Sequence, residues 1–191
     1  SKKVKDVSKV KELFAWPEKF EETFSEVHLD NFDDKKLNIV FTGSIGEAQN
    51  IEQIFRVANI LRDLNIKWHI VGSGRHLEKL KKKNYPENII FYGHKPKNEI
   101  LNYLNKADLL LITLKAGKAL NSTIPGKFQT YLKVNKPILG SISGEVNKII
   151  KENNIGLCSE PDDDKKFIEN IQKFLKQKNN GALNKIDTSH L

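Results

Sequence analysis

Two glycine-containing turns are the segments of this sequence whose residue types best suit the binding of an anion. The first runs from Thr42 to Gly46 and the second from Val71 to Arg75, and each lies between a short apolar run and a helical pattern. Glycine lets the main chain approach a ligand closely, and the N–H groups at the start of a helix attract negative charge. Each turn therefore suits a phosphate group, although a tight strand-to-helix turn without a ligand explains each one equally well.

A lysine at the start of a later helix is the third feature of this kind. A long polar stretch follows Lys115, and Pro125 then begins a helical pattern in which Lys127 lies in the first turn. The helix dipole disfavours a cation there, so a neighbouring anion would explain the lysine; an exposed side chain at small cost is the alternative. Ser122 and Thr123 could cap this helix or form hydrogen bonds with phosphate oxygens.

Two more turns could contribute to a site. Gly93 permits a bend, and together with His94 and Lys95 it could receive a flat ring, although a plain turn would look the same. Glu145 begins another helix, where its charge suits the helix dipole with or without a ligand. The sequence contains no nucleophile elbow, no cysteine set and no His-x-x-x-His motif. It therefore predicts binding and assigns no catalytic group and no metal site.

The turns alternate with elements of two kinds. Short runs rich in Ile, Val and Leu predict strands, and longer stretches with a 3.6-residue apolar period predict helices. Continuous apolar runs are typical of strands covered on both faces, and regular alternation predicts right-handed strand–helix–strand units. The predicted fold class is α/β, with a doubly wound, six-stranded, mostly parallel sheet of Rossmann-like type that binds ligands beyond the carboxyl ends of its strands. The predicted strands are 37–41, 66–71, 88–92, 108–112, 137–139 and 156–158, and the predicted helices are 48–64, 75–83, 97–106, 126–134, 144–153 and 163–177.

The composition indicates a globular α/β domain with an appendage, in a chain of 191 residues that is 38% hydrophobic and 29% charged. No apolar run reaches the roughly 18 residues of a membrane span, and the start lacks a signal-peptide pattern, so we expect a cytoplasmic protein. The single cysteine, Cys158, excludes an internal disulfide. The net charge of +8 comes mainly from lysines on helices and lacks the interleaved aromatic residues of RNA-binding sheets, so no nucleic-acid partner is expected.

Three parts are expected along the chain. Residues 1–36 fall outside the alternation and read as a connector with edge helices, interrupted at Trp16-Pro17. Residues 37–180 form the Rossmann-like domain, and residues 181–191 read as a tail. The start at Ser1, without an initiator Met, suggests that a further segment lies upstream.

The ordered series of motifs resembles the family 4 retaining glycosyltransferases over residues 37–175. Each motif is weak alone, but the series at this spacing is specific. The stretch 114–132 is most similar to the branch that transfers N-acetyl-fucosamine-type sugars in bacterial surface-polysaccharide assembly. The segments that carry the resemblance are Gly43 to Gly46, Val71-Gly72-Ser73-Gly74, Asn88 to Gly93, Ala107-Asp108, Ile124-Pro125-Gly126-Lys127, Lys136 to Leu139, Ser143-Gly144-Glu145 and Asn154 to Leu157.

The resemblance implies one half of a GT-B enzyme, in which two Rossmann-like domains face a cleft and the C-terminal one holds the nucleotide sugar. Gly43 and Gly46 would approach the diphosphate, and Lys127, with Lys115, would neutralise it. Gly93 and its neighbours would line the base pocket. The full set of residues expected to bind the nucleotide sugar is Gly43, Gly46, Gly74, Arg75, Gly93, His94, Lys95, Lys115, Ser122, Thr123, Lys127, Thr130 and Glu145.

The chain departs from the family pattern at residues that bind the donor, so its lysines become the main candidates for that role. Thr130 stands where many members have the glutamate that holds the ribose, and Glu145 is the substitute candidate. The Arg and Lys that many members place after the first strand are missing, so Lys127 and Lys115 gain importance.

The function implied is donor binding, with a UDP-sugar as donor and no cofactor, in a retaining transferase of cell-surface polysaccharide (lipopolysaccharide O-antigen or capsule) biosynthesis. The acceptor, a glycan or a lipid-linked sugar, would bind an N-terminal domain absent from this sequence, so this fragment alone is expected to be inactive. Peripheral contact with the inner face of the membrane would fit such an acceptor. A UDP-sugar epimerase fragment of GT-B type and a non-catalytic nucleotide-binding module are the alternatives.

Overall fold

A parallel sheet of six strands forms the centre of the computed structural model, which describes residues 29–81 and 85–183. Strands β1 and β4 are buried along their whole length, as their continuous apolar sequences predict. The strands are β1 (Leu37–Thr42), β2 (Ile66–Val71), β3 (Ile89–Gly93), β4 (Leu109–Thr113), β5 (Ile138–Ser141) and β6 (Gly156–Ser159).

The order of the strands across the sheet is β3-β2-β1-β4-β5-β6, and every neighbouring pair is parallel. This order confirms the predicted doubly wound Rossmann-like fold. The direction of winding reverses between β1 and β4, and in such sheets the reversal opens a crevice beyond the carboxyl ends of those two strands. A ligand is therefore expected at the turns that follow β1 and β4.

Helices cover both faces of the sheet. The predicted bounds 97–106 and 126–134 are confirmed, whereas the predicted helix 48–64 is shorter because a separate 3-10 turn precedes it. Asn50 adopts the left-handed conformation, with φ of 48°, and separates that turn from the helix. The 3-10 turn is Glu47–Gln49, and the α-helices are α1 (Ile51–Ile60), α2 (Arg75–Lys81), α3 (Lys97–Lys106), α4 (Lys118–Asn121), α5 (Gly126–Val134), α6 (Glu145–Glu152) and α7 (Asp164–Asn179).

Two apolar layers, one on each face of the sheet, form the core. Trp68 and Phe167 are fully buried in the layer under α1 and α7, and Phe128 and Tyr131 of α5 are fully buried in the other. Aromatic side chains of this size contribute the largest buried apolar areas in a domain. None of the helices formed by residues 29–81 and 85–183 is long and apolar enough to cross a membrane.

The segment before β1 packs against the sheet through aromatic and hydrogen-bonded contacts. The ring of Phe32 stacks on the imidazole of His69 in β2, with centroids 3.8 Å apart. Lys67, beside His69, also donates a hydrogen bond of 2.8 Å from its amine to the carbonyl of Asn31. Residues 29–36 are thus fixed to the sheet, and the rest of the predicted connector, with its edge helices, lies outside the described residues.

His69 is held uncharged inside this contact. Its Nε2 lies 3.0 Å from the Asn38 Oδ1, and its Nδ1 lies 2.8 Å from the Tyr92 hydroxyl. The amide nitrogen of Asn38 already donates to the carbonyls of Asp33 and Lys36, so its oxygen is the acceptor and Nε2 carries the proton. Burial, with a smaller effect of the Lys67 charge, lowers the pKa of His69 to about 3.

Burial of the uncharged His69 should make the folded protein less stable in acid. The unfolded chain binds a proton at the ordinary pKa of 6.5 but the folded protein only near 3, so stability is full above 6.5 and falls as the pH drops through that window. As the pH falls through this window, we expect His69 to lower the free energy of unfolding of the wild type by up to about 1.4 kcal/mol per pH unit. His69→Gln should lose this contribution, while His94→Gln, at an exposed position, should keep it. Urea unfolding between pH 4 and 8 measures the slopes, and equal slopes for wild type and His69→Gln would contradict the assignment.

Candidate functional site

The crevice between β1 and β4 is bridged by the 3-10 turn that follows β1. The main-chain N–H of Lys115 donates to the carbonyl of Ala48 at 2.9 Å, and the Thr113 hydroxyl donates to the carbonyl of Gln49. These bonds fix the turn against the end of β4.

The two glycine-containing turns contact each other through their main chains. A Cβ atom added to Gly72 would lie 1.9 Å from the Gly43 carbonyl oxygen, and one added to Gly74 would lie 2.1 Å from the Ile45 oxygen. Both glycines are therefore required by the packing of one turn on the other. Gly46 differs, because a Cβ atom there would meet nothing within 4 Å. Of the predicted glycines, Gly46 borders open space, whereas Gly74 has a structural role that needs no ligand.

A cavity of about 410 Å³ opens between these two turns. Its volume lies within the range of small-molecule sites, which begins near 300 Å³. Arg75 and His76 are among its lining residues, and Arg75 is exposed. The residues that line the cavity are Ser44, Ile45, Gly46, Glu47, Ser73, Gly74, Arg75 and His76.

Lys127 reaches the same turn from the side of β4. Pro125 is the N-cap of α5, so Lys127 lies in the first helical turn as predicted. Its amine lies 2.8 Å from the Gln49 Oε1 and 3.7 Å from the centroid of the Phe41 ring. It also borders Gly43, where an added Cβ atom would lie 3.4 Å from the Lys127 Nζ. The lysine and the cavity thus flank the turn that follows β1.

The charge of Lys127 has no counterpart among the described residues. Burial lowers the pKa of its amine to about 7, and no carboxylate opposes this effect. The amide oxygen of Gln49 and the ring face of Phe41 attract a cation, but neither carries a negative charge. An anion bound beside Gly43 would favour the protonated amine and raise its pKa.

Lys115, the other predicted cation, has a carboxylate nearby. Its amine lies 3.8 Å from Glu52 Oε1 in the first turn of α1, and the same oxygen lies 2.6 Å from Nε2 of His76. Burial alone would raise the pKa of Glu52, but hydrogen bonds from its own main chain and His76, with the charges of His76 and Lys115, lower it overall. Sequence reasoning missed the Glu52–His76 pair, because two single residues on different helices leave no local pattern.

The turns after β4 and β5 form a second region of contact. The Ser143 hydroxyl donates to Asn121 Oδ1 at 2.6 Å, and a Cβ atom added to Gly144 would lie 1.9 Å from the Asn121 carbonyl oxygen. Glu145 follows in the first turn of α6. This contact fixes the distance between the two turns.

Of the two roles considered for Ser122 and Thr123, capping of the helix that contains Lys127 is wrong, and hydrogen bonding to phosphate oxygens stays a prediction. The N-cap of that helix is Pro125, and the Thr123 hydroxyl donates to the Ala119 carbonyl at 2.8 Å instead. The short helix α4, which was not predicted, turns the chain here and places both residues before the cap. Both side chains are exposed. Thr130 lies three residues after Lys127 in α5 and is therefore on the same helical face.

The turn after β3 lies two strands from β1, at the edge of the sheet. Gly93 has φ of +70°, and its carbonyl accepts a hydrogen bond of 2.7 Å from the Gly72 N–H, which joins this turn to the glycine turns. His94 is exposed, and Lys95 forms an ion pair of 3.4 Å with Glu99. At the usual spacing of strands, this turn is about 10 Å from the one after β1.

Many solved structures share this architecture. The C-terminal domain of LpcC, a glycosyl transferase group 1 family protein from Francisella tularensis, matches with a TM-score of 0.60 at 17% identity, over 84% of this chain and 89% of that one. HepE of Anabaena, in complex with UDP, matches with a TM-score of 0.55 at 10% identity, over 81% of this chain and 46% of HepE. At these identities the likeness shows the fold alone, which is the Rossmann-like fold of GT-B glycosyltransferases.

Sequence comparison extends the likeness from fold to family. WcaI of Escherichia coli (strain K12), named as a glycosyl transferase of colanic acid biosynthesis, is 30% identical over 153 residues. The match covers 77% of this chain and 37% of WcaI, so the chain spans well under half of that relative. The sequence profile of the glycosyl transferases group 1 family matches residues 25–187. Because that match extends from the segment before β1 to beyond the last strand, the chain belongs to the glycosyl transferases group 1 family.

Proposed function

We propose that this chain is the donor-binding domain of a retaining glycosyltransferase that uses a UDP-sugar in bacterial cell-surface polysaccharide biosynthesis. The observation that carries the proposal is the amine of Lys127, which lies beside Gly43 with no carboxylate partner among the described residues. A nucleotide sugar supplies the missing charge through its diphosphate. Hydrogen bonds between an ammonium and phosphate oxygens are among the stronger contacts in proteins.

The arrangement of the turns suits an extended nucleotide. The diphosphate would bind at the turn from Gly43 to Glu47, between Lys127 and the cavity. The base would bind at the turn of Gly93, His94 and Lys95, which lies about 10 Å away along the same edge of the sheet. Thr130 and Glu145, on α5 and α6, are the candidates for the ribose.

The known relatives favour a UDP-sugar and a surface polysaccharide. HepE, part of which matches this fold, was solved in complex with UDP, and WcaI is named for colanic acid biosynthesis. The stretch 114–132 favours the branch that transfers N-acetyl-fucosamine-type sugars. Lys115 would assist Lys127 once the diphosphate draws it from Glu52, since the two compete as anionic partners.

Transfer itself would need a second domain. The chain corresponds to 37% of WcaI, and its fold corresponds to the C-terminal domain of LpcC. We propose that the glycan or lipid-linked acceptor binds the other domain, so this chain alone should bind UDP without transferring sugar. Peripheral contact with the membrane would belong to the two-domain enzyme, and the basic charge of +8 would favour an anionic surface.

Lys127→Met should weaken UDP binding about 10- to 100-fold. The substitution keeps an apolar side chain over Phe41 but removes a charge-assisted hydrogen bond worth about 1.5–3 kcal/mol. Lys148→Met, at an exposed position of α6, is the matched control and should leave affinity unchanged. Isothermal titration calorimetry measures the dissociation constants, and equal affinity of wild type and Lys127→Met would remove this lysine from the site.

UDP binding should be accompanied by proton uptake at Lys127. The amine has a pKa of about 7 without ligand, and the diphosphate raises it, so affinity is greatest below pH 7 and falls as the pH rises between the two values. Titration at pH 8 in buffers of different ionisation enthalpy measures the protons taken up. Lys127→Met corrects for protonation of UDP itself, and a wild-type uptake no larger than that of Lys127→Met would contradict the prediction.

Two glycine substitutions separate packing from binding. Gly74→Ala should lower the free energy of unfolding by about 1–3 kcal/mol, since its Cβ would lie 2.1 Å from the Ile45 oxygen. Gly46→Ala should leave stability unchanged, because its Cβ meets nothing within 4 Å, yet weaken UDP binding where the main chain approaches the phosphates. Urea unfolding and calorimetry measure the two effects. If Gly46→Ala binds UDP with wild-type affinity, the diphosphate does not approach this residue.

A further inference from the structure

We propose that Gln49 is a positioning residue, whose uncharged amide oxygen holds the amine of Lys127 beside Gly43 without neutralising it. The donor diphosphate then supplies the negative charge that pairs with the amine of Lys127. This functional consequence rests on the donor-binding role proposed above, but the coupling between Gln49 and Lys127 can be tested without any ligand.

The main chain of Gln49 is fixed on both sides. It is the last residue of the 3-10 turn, and Asn50 in the left-handed conformation redirects the chain into α1. Its carbonyl accepts the hydrogen bond from the Thr113 hydroxyl at the end of β4. The side chain therefore projects from an anchored position, and its Oε1 meets the Lys127 amine at 2.8 Å.

The contact leaves the amine able to bind a ligand. An ammonium group has three N–H donors, and Gln49 accepts one of them. The Phe41 ring stabilises the cation from one side without occupying a hydrogen-bond position. The other two donors are not engaged by Gln49, and phosphate oxygens that approach from the side of Gly43 could accept them.

The neutral charge of the amide is the decisive property. Burial is the cause that lowers the pKa of Lys127, and no charged group of the described residues contributes. Glu52, the carboxylate in the first turn of the adjoining α1, is paired with His76 and Lys115 instead, and Glu47 at the start of the 3-10 turn is exposed. A carboxylate at position 49 would form an ion pair with Lys127 and repel a diphosphate.

Three variants test the proposal. Gln49→Glu should raise the pKa of Lys127 by about one unit or more in the unliganded protein, because it places an opposite charge within hydrogen-bond distance. It should weaken UDP binding about tenfold or more and abolish the proton uptake. Gln49→Leu should leave the pKa low and weaken UDP binding, because the amine loses its anchor. Gln129→Glu adds the same charge to the first turns of α5 but two residues from Lys127, where side chains do not face each other, and should change neither quantity much.

NMR titration of the Lys127 Cε and Nζ signals measures the pKa, and calorimetry with UDP measures affinity. An unchanged pKa in Gln49→Glu, or wild-type UDP affinity in Gln49→Leu, overturns the positioning role. If the wild type binds no UDP while Gln49→Glu still raises the pKa, the donor-binding function is overturned and the Gln49–Lys127 coupling is supported. An equal rise of the pKa in Gln129→Glu would overturn the specific coupling.

Discussion

The proposed chemistry of this domain depends on one lysine whose charge has no carboxylate partner within residues 29–81 and 85–183. Lys127 is held between the Phe41 ring and the Gln49 amide, in surroundings that lower its pKa to about 7. A cation in such a place costs free energy unless an anion accompanies it. The glycine-containing turn after β1 lies beside this amine. The lysine and the turn together therefore suit a phosphate better than either does alone.

The order of the strands brings these groups together. Reversal of the winding between β1 and β4 places the turn after β1 beside α5, the second helix after β4. Gly72 and Gly74 let the turn after β2 approach from the opposite side, because side chains there would collide with main-chain oxygens of the first turn. The cavity between the two turns is therefore a consequence of close main-chain packing.

The sequence predicted the fold well, because its signals are local. Continuous apolar runs identified the six strands of the sheet, and apolar periodicity identified the helices 97–106 and 126–134 to the residue. The errors were also local: the left-handed Asn50 ends a 3-10 turn that was predicted as helix, and the short α4 keeps Ser122 and Thr123 from capping α5. The predicted placement of Lys127 in a first helical turn is confirmed.

The sequence by itself determined the class of fold, the position of each turn at the carboxyl end of a strand, and the family. Only the tertiary structure decided which side chains meet there. Gln49 and Lys127 are 78 residues apart in the chain, and Glu52 and His76 are 24 apart. No periodic pattern spans such separations, because contact between them depends on the order in which strands pair across the sheet. The same order decided that Gly74 serves the packing of two turns while Gly46 faces open space.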